Sequence, residues 1–272
     1  MKKLIFFLVI FSLFNSLCFT SSFYQQQILD LNPFGYYRLN ETSGSIATNL
    51  GTLGSSANGT YHGVTLGVNG ALAEVDPAGR FSKSNSSYVN TNGLSGVLND
   101  GEAFSVEAWF KTSYTPGSNY KNIIFGAHTS SGGNVFRVGT GMNGGIFLST
   151  SSGDYVYGSG FNNNVWHHLV VTLPGNAVGT KVYVDGAKIA SVNFGTASWN
   201  SATKFSIAQD YDGSNLTDFF DGDLDEVALY NSILSKDNVE LHNLVGTTNI
   251  PETSSLILLA LSMSFIIIAL KK

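Results

Sequence analysis

The 272-residue chain has one cysteine, Cys18, and it lies in an N-terminal apolar stretch. Once that stretch is removed no thiol remains. This excludes disulfides and thiolate chemistry, so stability has to come from core burial, with bound ions as an optional addition. Charge is scarce too: 12% of residues are charged, 14 of them basic and 19 acidic. The formal charge of −5 becomes −7 without Lys2 and Lys3, and −9 without Lys271 and Lys272 as well. So acidic a surface argues against nucleic acid and suits cations and neutral glycans. No serine or cysteine nucleophile motif is present. The glycine-rich stretch Gly139–Gly145 opens no helix, which excludes a phosphate loop. Thirty glycines among many Ser, Thr and Asn residues describe short strands and frequent turns.

Both ends carry apolar segments. Met1-Lys2-Lys3 followed by apolar residues from Leu4 to Leu17, broken by Ser12, Asn15 and Ser16, reads as a secretory signal peptide cut near Thr20 or Ser22. A lipoprotein reading through Cys18 is disfavoured, because Leu17 stands where a small residue is needed. At the other end, Pro251-Glu252-Thr253-Ser254-Ser255 precedes an unbroken apolar run from Leu256 to Leu270 and then Lys271-Lys272. That run is at the short edge of a membrane span, which takes about 20 apolar residues. The lysines would stay on the cytoplasmic side. The expected organisation is a signal peptide at 1–22, one β domain at 23–246, a linker and sorting motif at 247–253, and a transmembrane helix with a basic end at 254–272.

In the middle, Phe104, Val106, Ala108 and Phe110 alternate onto one strand face. Further strands are expected at 122–126, 135–139, 145–150, 155–158, 165–173, 204–208 and 223–230. Residues 181–190 read as a hairpin whose Asp185-Gly186 suits a two-residue turn with both residues at positive φ. The one clear soluble helix is Ser235–Leu244, with Ser235 as N-cap. Short strands between turn clusters indicate an all-β, two-sheet antiparallel sandwich.

Six stretches, in this order, resemble the laminin-G-like domains of the concanavalin A-like lectin/glucanase superfamily. They are Gly35–Gly44 (GYYRLNETSG), Ala47–Asn49 with Asn58–Gly63 (NGTYHG), Phe104–Phe110 (FSVEAWF), Val165–Val171 (VWHHLVV), Val182–Gly186 (VYVDG) and Phe220–Tyr230 (FDGDLDEVALY) with Leu234-Ser235. The resemblance spans roughly residues 30–246 and implies jelly-roll topology. The tail resembles PEP-CTERM sorting signals of exopolysaccharide-producing Gram-negative bacteria, with Thr253 standing where the second proline is expected. That resemblance implies a membrane sorting protease, and an ordinary single-pass anchor is the plainer alternative.

Asp221, Asp223, Asp225 and Glu226 form the densest acidic cluster. In a strand, Asp223 and Asp225 share a face and repel unless a cation or hydrogen-bond donors neutralise them. The resemblance implies a structural calcium (Ca2+) here, held by Asn49, Asp225 and main-chain carbonyls, with Asp223 beside it. The alternative is a solvated acidic strand edge. The related glucanases place catalytic acids as Glu-x-Asp-x-Glu or Glu-x-Asp-x-x-Glu on one strand, and this chain lacks both patterns. Adjacent His167 and His168 point to opposite strand faces and cannot share a metal, so one is expected inside and the other in solvent. His62 has no histidine partner at metal spacing. Tyr155, Tyr157, Phe161, Trp199, Tyr211 and Asp212 lie in or beside polar loops and are candidate sugar-contacting residues. Asn40, Asn58, Asn85 and Asn215 are glycosylation acceptors only in a host that glycosylates.

The sequence therefore predicts an exported, membrane-tethered or surface-sorted module without catalytic activity. It would bind glycan or a cell-surface or matrix protein in an envelope or extracellular matrix. The rivals are a structural or adhesion protein that binds no sugar, and a glucanase-like glycoside hydrolase.

Overall fold

The computed structural model describes residues 22–248 apart from 75, 118–120, 151–152 and 177. The expected signal peptide falls almost wholly outside the described residues, and the sorting tail entirely so. Among the described residues, no helix is long and apolar enough to cross a membrane.

Among the described residues there are eighteen strands: β1 (Gly35–Tyr37), β2 (Ile46–Ala47), β3 (Gly59–His62), β4 (Thr65–Asn69), β5 (Pro77–Phe81), β6 (Tyr88–Asn90), β7 (Phe104–Lys111), β8 (Asn122–His128), β9 (Asn134–Thr140), β10 (Ile146–Thr150), β11 (Gly153–Tyr157), β12 (His167–Leu173), β13 (Thr180–Val184), β14 (Ala187–Val192), β15 (Lys204–Ile207), β16 (Asp210–Asp212), β17 (Asn215–Thr217) and β18 (Gly222–Tyr230). The first sheet runs β14-β13-β12-β7-β18-β5-β4, with β1 also paired to β18; the second runs β11-β10-β9-β8-β15-β6-β3-β2. All their pairings are antiparallel. β16 and β17 form a separate hairpin.

The alternation in β7 decides the layering. Phe104, Val106, Ala108 and Phe110 enter the core between the sheets, where Phe125, Phe136, Phe205 and Trp199 meet them. Glu107 and Trp109 point the other way and are still buried, because two helices cover that face. One is α1 (Phe23–Leu29), capped by Ser22 and not expected from the sequence. The other is α2 (Lys236–Thr247), whose Ser235 Oγ accepts the Asn238 N–H. At the β13–β14 turn both Asp185 and Gly186 have positive φ, as the Asp-Gly pair requires.

β18 contains the irregularity that matters most for the chemistry. Its register with β7 shifts between Asp225 and Ala228, and Glu226 has φ of 52°. Strict alternation would put Asp225 and Glu226 on opposite faces. The bulge lets both point to the helix-covered face, while Leu224, Val227 and Leu229 still enter the core.

Candidate functional site

Two polar loci stand out. The first lies on the helix side of the first sheet. One oxygen each of Asp76, Asp225 and Glu226 lies within 4.8 Å of the others. Arg38 bridges part of the cluster: its Nε donates to Glu226 at 2.7 Å and its Nη2 to Asp76 at 2.7 Å. Tyr36 donates its hydroxyl to the second Glu226 oxygen. Asp225 accepts the Ala71 N–H at 2.8 Å through Oδ2, and its Oδ1 is buried without a partner. Gly70 makes this approach possible, because a Cβ there would lie 2.8 Å from Asp225 Oδ2. Burial and the neighbouring Glu226 charge push the Asp225 carboxyl well above the usual range. Burial raises Glu226 to about 8 even though Arg38 and Tyr36 favour its anion. Three carboxyls facing one guanidinium, with a spare buried oxygen, form a hard oxygen site of the kind a divalent cation takes.

The expected ligand set changes accordingly. Asn49 Oδ1 already accepts the Tyr36 and Gly51 N–H groups at 2.8 and 2.9 Å. Its amide donates to the Phe34 and Gly54 carbonyls. Asn49 is thus a fully bonded staple that ties the β2–β3 connection back to β1, with no lone pair left for a metal. Asp223 shares a face with Asp225, as expected, but a bidentate Arg80 and Lys111 neutralise it. Of the three expected ligands, Asp225 alone reaches the cluster. The sequence reading missed Asp76, in a loop far from β18, and Glu226, which the bulge re-aims.

The second locus is the outer face of the second sheet. Directly paired residues share a face, so register assigns Asp154, Val156, Phe147, Ser149, Arg137, Gly126, His128, Lys204, Ser206, Asn90, Tyr88, Thr60 and His62 to it. The β16–β17 hairpin lies across this face. Asp210 pins it there through His128 and through Arg137 Nη1 at 2.6 Å. Arg137 also donates to Ser149 and Asp154 and sits over the Phe147 ring. Burial would raise Asp210, but His128 and Arg137 hold its carboxyl below the usual value. Burial and the Asp210 and Asp212 charges lift Asp218 to about 6. Beside the hairpin, the exposed His62 ring stacks on Tyr88 at 4.4 Å and 8°, and Phe219 abuts Tyr88. Lys204 covers the nearby Tyr211 ring at 4.5 Å.

The expected sugar-contacting residues divide. Tyr211 and Asp212 belong to this hairpin; Tyr211 is mostly covered and Asp212 is exposed. Trp199 is in the core against Phe104 and Phe136 and cannot meet a ligand. Tyr155 and Tyr157 do share a face and stack on each other; they pair with Leu148 and Ile146 at the rim of the core side of an edge strand, where Tyr155 stays 42% exposed and Tyr157 is half-buried. The outward residues of β11 are Asp154 and Val156. His62 and Tyr88 carried no sequence signal as a pair, since 26 positions separate them and only the β3–β6 register brings them together.

His167 and His168 take opposite faces, as expected, but neither faces solvent. His167 pairs with Asp185 and Asn163, and His168 with Glu107.

No curated protein sequence matches this chain. Solved structures do match it in fold. Domain 4 of AbnA, a GH43 extracellular arabinanase from Geobacillus stearothermophilus solved with arabinotriose, aligns with a TM-score of 0.53 at 17% identity over 78% of this chain and 98% of that one. The binding domain of botulinum neurotoxin DC, solved with rat synaptotagmin II, aligns at 0.57 and 14% identity over 82% of this chain and 54% of that one. The sialidase of Trypanosoma rangeli aligns at 0.53 and 13% identity over 80% of this chain and 34% of that one. At such identities the likeness is one of fold alone. A sequence model of the concanavalin A-like lectin/glucanases superfamily, of laminin G type, matches residues 83–240. That is more than half of the chain, and with the two-sheet sandwich it means that the protein belongs to this superfamily.

Proposed function

We propose that this protein is a non-catalytic binding module that takes a glycan on the outer face of its second sheet. The observation carrying this reading is the stack of the exposed His62 on the half-buried Tyr88, beside a hairpin rich in polar side chains. Flat aromatic faces accept the C–H surface of a sugar ring, and flanking amides and acids accept its hydroxyls. That an arabinanase domain of this fold was solved with arabinotriose supports a glycan, and the neurotoxin domain solved with synaptotagmin II keeps a surface protein as the alternative. The β18 acids are buried, which disfavours a glucanase-type centre there. The test is a glycan array probed with the full-length chain in detergent, alongside Tyr88→Ala. Specific hits weakened at least tenfold by Tyr88→Ala support the reading. Silence on the array with capture of a surface protein moves it to adhesion, and release of reducing ends from a glucan panel moves it to hydrolysis.

The signal and tail support export and retention at a cell envelope, by a membrane helix or after a sorting protease acts near Thr253. A structural Ca2+ at Asp76, Asp225 and Glu226 would supply the positive charge that Arg38 alone does not. Isothermal titration of chelator-treated protein should show one calcium site that Asp76→Asn weakens. No heat of binding, with an unchanged melting temperature, rules the metal out.

A further inference from the structure

Glu107 is fully buried at the centre of β7 and collects hydrogen bonds from every element around it. His242 Nδ1 of α2 lies 2.9 and 3.0 Å from its two oxygens. His168 Nε2 of β12 lies at 2.8 Å, the Tyr230 hydroxyl of β18 at 3.0 Å and the Tyr24 hydroxyl of α1 at 3.2 Å. Trp109 Nε1 in turn donates to Tyr24. His242 has a second acceptor, the main-chain carbonyl of Gln27 in the last turns of α1. A neutral imidazole has one N–H; only the imidazolium serves a carboxylate and a carbonyl together. A cation at a helix C-terminus is also favoured by the helix dipole. One ring thus ties the helix that enters the sandwich, the helix that leaves it, and the sheet beneath them.

We propose that His242, held as an imidazolium between Glu107 and the Gln27 carbonyl, is a pH-sensitive clamp that docks the two terminal helices, and that alkaline pH releases α2, the element through which the chain continues towards residue 249. The groups facing it are Glu107, His168, Tyr230 and Tyr24, with the more distant Glu226 acting on the two tyrosines. Burial disfavours the charged ring, but Glu107 and Gln27 outweigh it and raise His242 above 6.5. The docking it provides is therefore complete below that value and fades as pH rises through the folded-state value. Glu107 is held well below the usual range by the histidines against its burial, so it stays ionised across this window.

The test is nitrogen-detected NMR of the histidine rings in the full-length chain, with hydrogen exchange from pH 6 to 10. At pH 6.5, both His242 nitrogens should carry protons. Above its transition, the opening equilibrium of α1 and α2 amides, corrected for intrinsic exchange, should rise by up to about tenfold per pH unit beyond any rise shared with the β8–β10 amides. In His242→Gln, which keeps a donor but cannot titrate, the helix profile should run parallel to that of β8–β10. A His242 ring with one protonated nitrogen at pH 6.5, or parallel opening of helices and strands in the native chain, overturns the proposal. The NMR result stands even if the variant folds poorly.

Discussion

Asn49 and Trp199 illustrate how residue type alone misassigns a role. Each sits beside polar turns in the chain, and each is consumed by the interior. Asn49 satisfies two buried N–H groups and two carbonyls. Removing its side chain should cost about 3 kcal/mol or more, because orphaned buried groups lose their desolvation compensation. Asn49→Asp, which keeps the acceptor, should be milder in denaturant unfolding and should leave calcium affinity unchanged. A clear gain in affinity would return Asn49 to the metal site. Trp199→Ala should cost about 3–5 kcal/mol as a core deletion with glycan binding intact. Adjacent Asp225 and Glu226 make the opposite point: the sequence shows two acids, but a single residue at positive φ decides that they face the same way.

Among the elements, β7, β12, β18 and the Asp185-Gly186 hairpin were legible because period-2 alternation and turn chemistry are local signals. α1 was not. Its run of three glutamines has no strong apolar stripe, and it is held by Tyr24 and Ile28 packing into the sheet face rather than by propensity. The β16–β17 hairpin was also invisible, since its strands are three residues each and tertiary bonds from Asp210 hold it. Its seat on the sheet is close: a Cβ on Gly132, at φ of 81°, would fall 1.7 Å from the Gly213 carbonyl oxygen. Gly132→Ala should therefore destabilise by more than about 1 kcal/mol and lift the hairpin. The check is a lower denaturant midpoint together with weakened ligand binding, whereas a variant that unfolds normally and binds normally detaches the hairpin from the site.

For the whole molecule, the acidic cluster sets a pH dependence with a definite sign. Asp225 and Glu226 have folded-state values above their ordinary ones, with Glu226 at about 8. From about pH 4.5 upward the unfolded chain ionises while the folded one keeps its protons, so stability falls with rising pH until about 8. Calcium should displace those protons, flatten the profile and stabilise most at the alkaline end. Melting curves with calcium and with chelator from pH 5 to 8.5 check this, and curves that superimpose at every pH contradict it. The sequence by itself determined a disulfide-free, acidic, all-β sandwich, because alternation, turn residues and composition act over a few positions. Only the tertiary structure decided which side chains form a site. Strand register placed His62 on Tyr88, packing took Trp199 into the core, and a bulge gathered Asp225 and Glu226 with the distant Asp76. Those outcomes depend on pairings between remote segments, which no local pattern encodes.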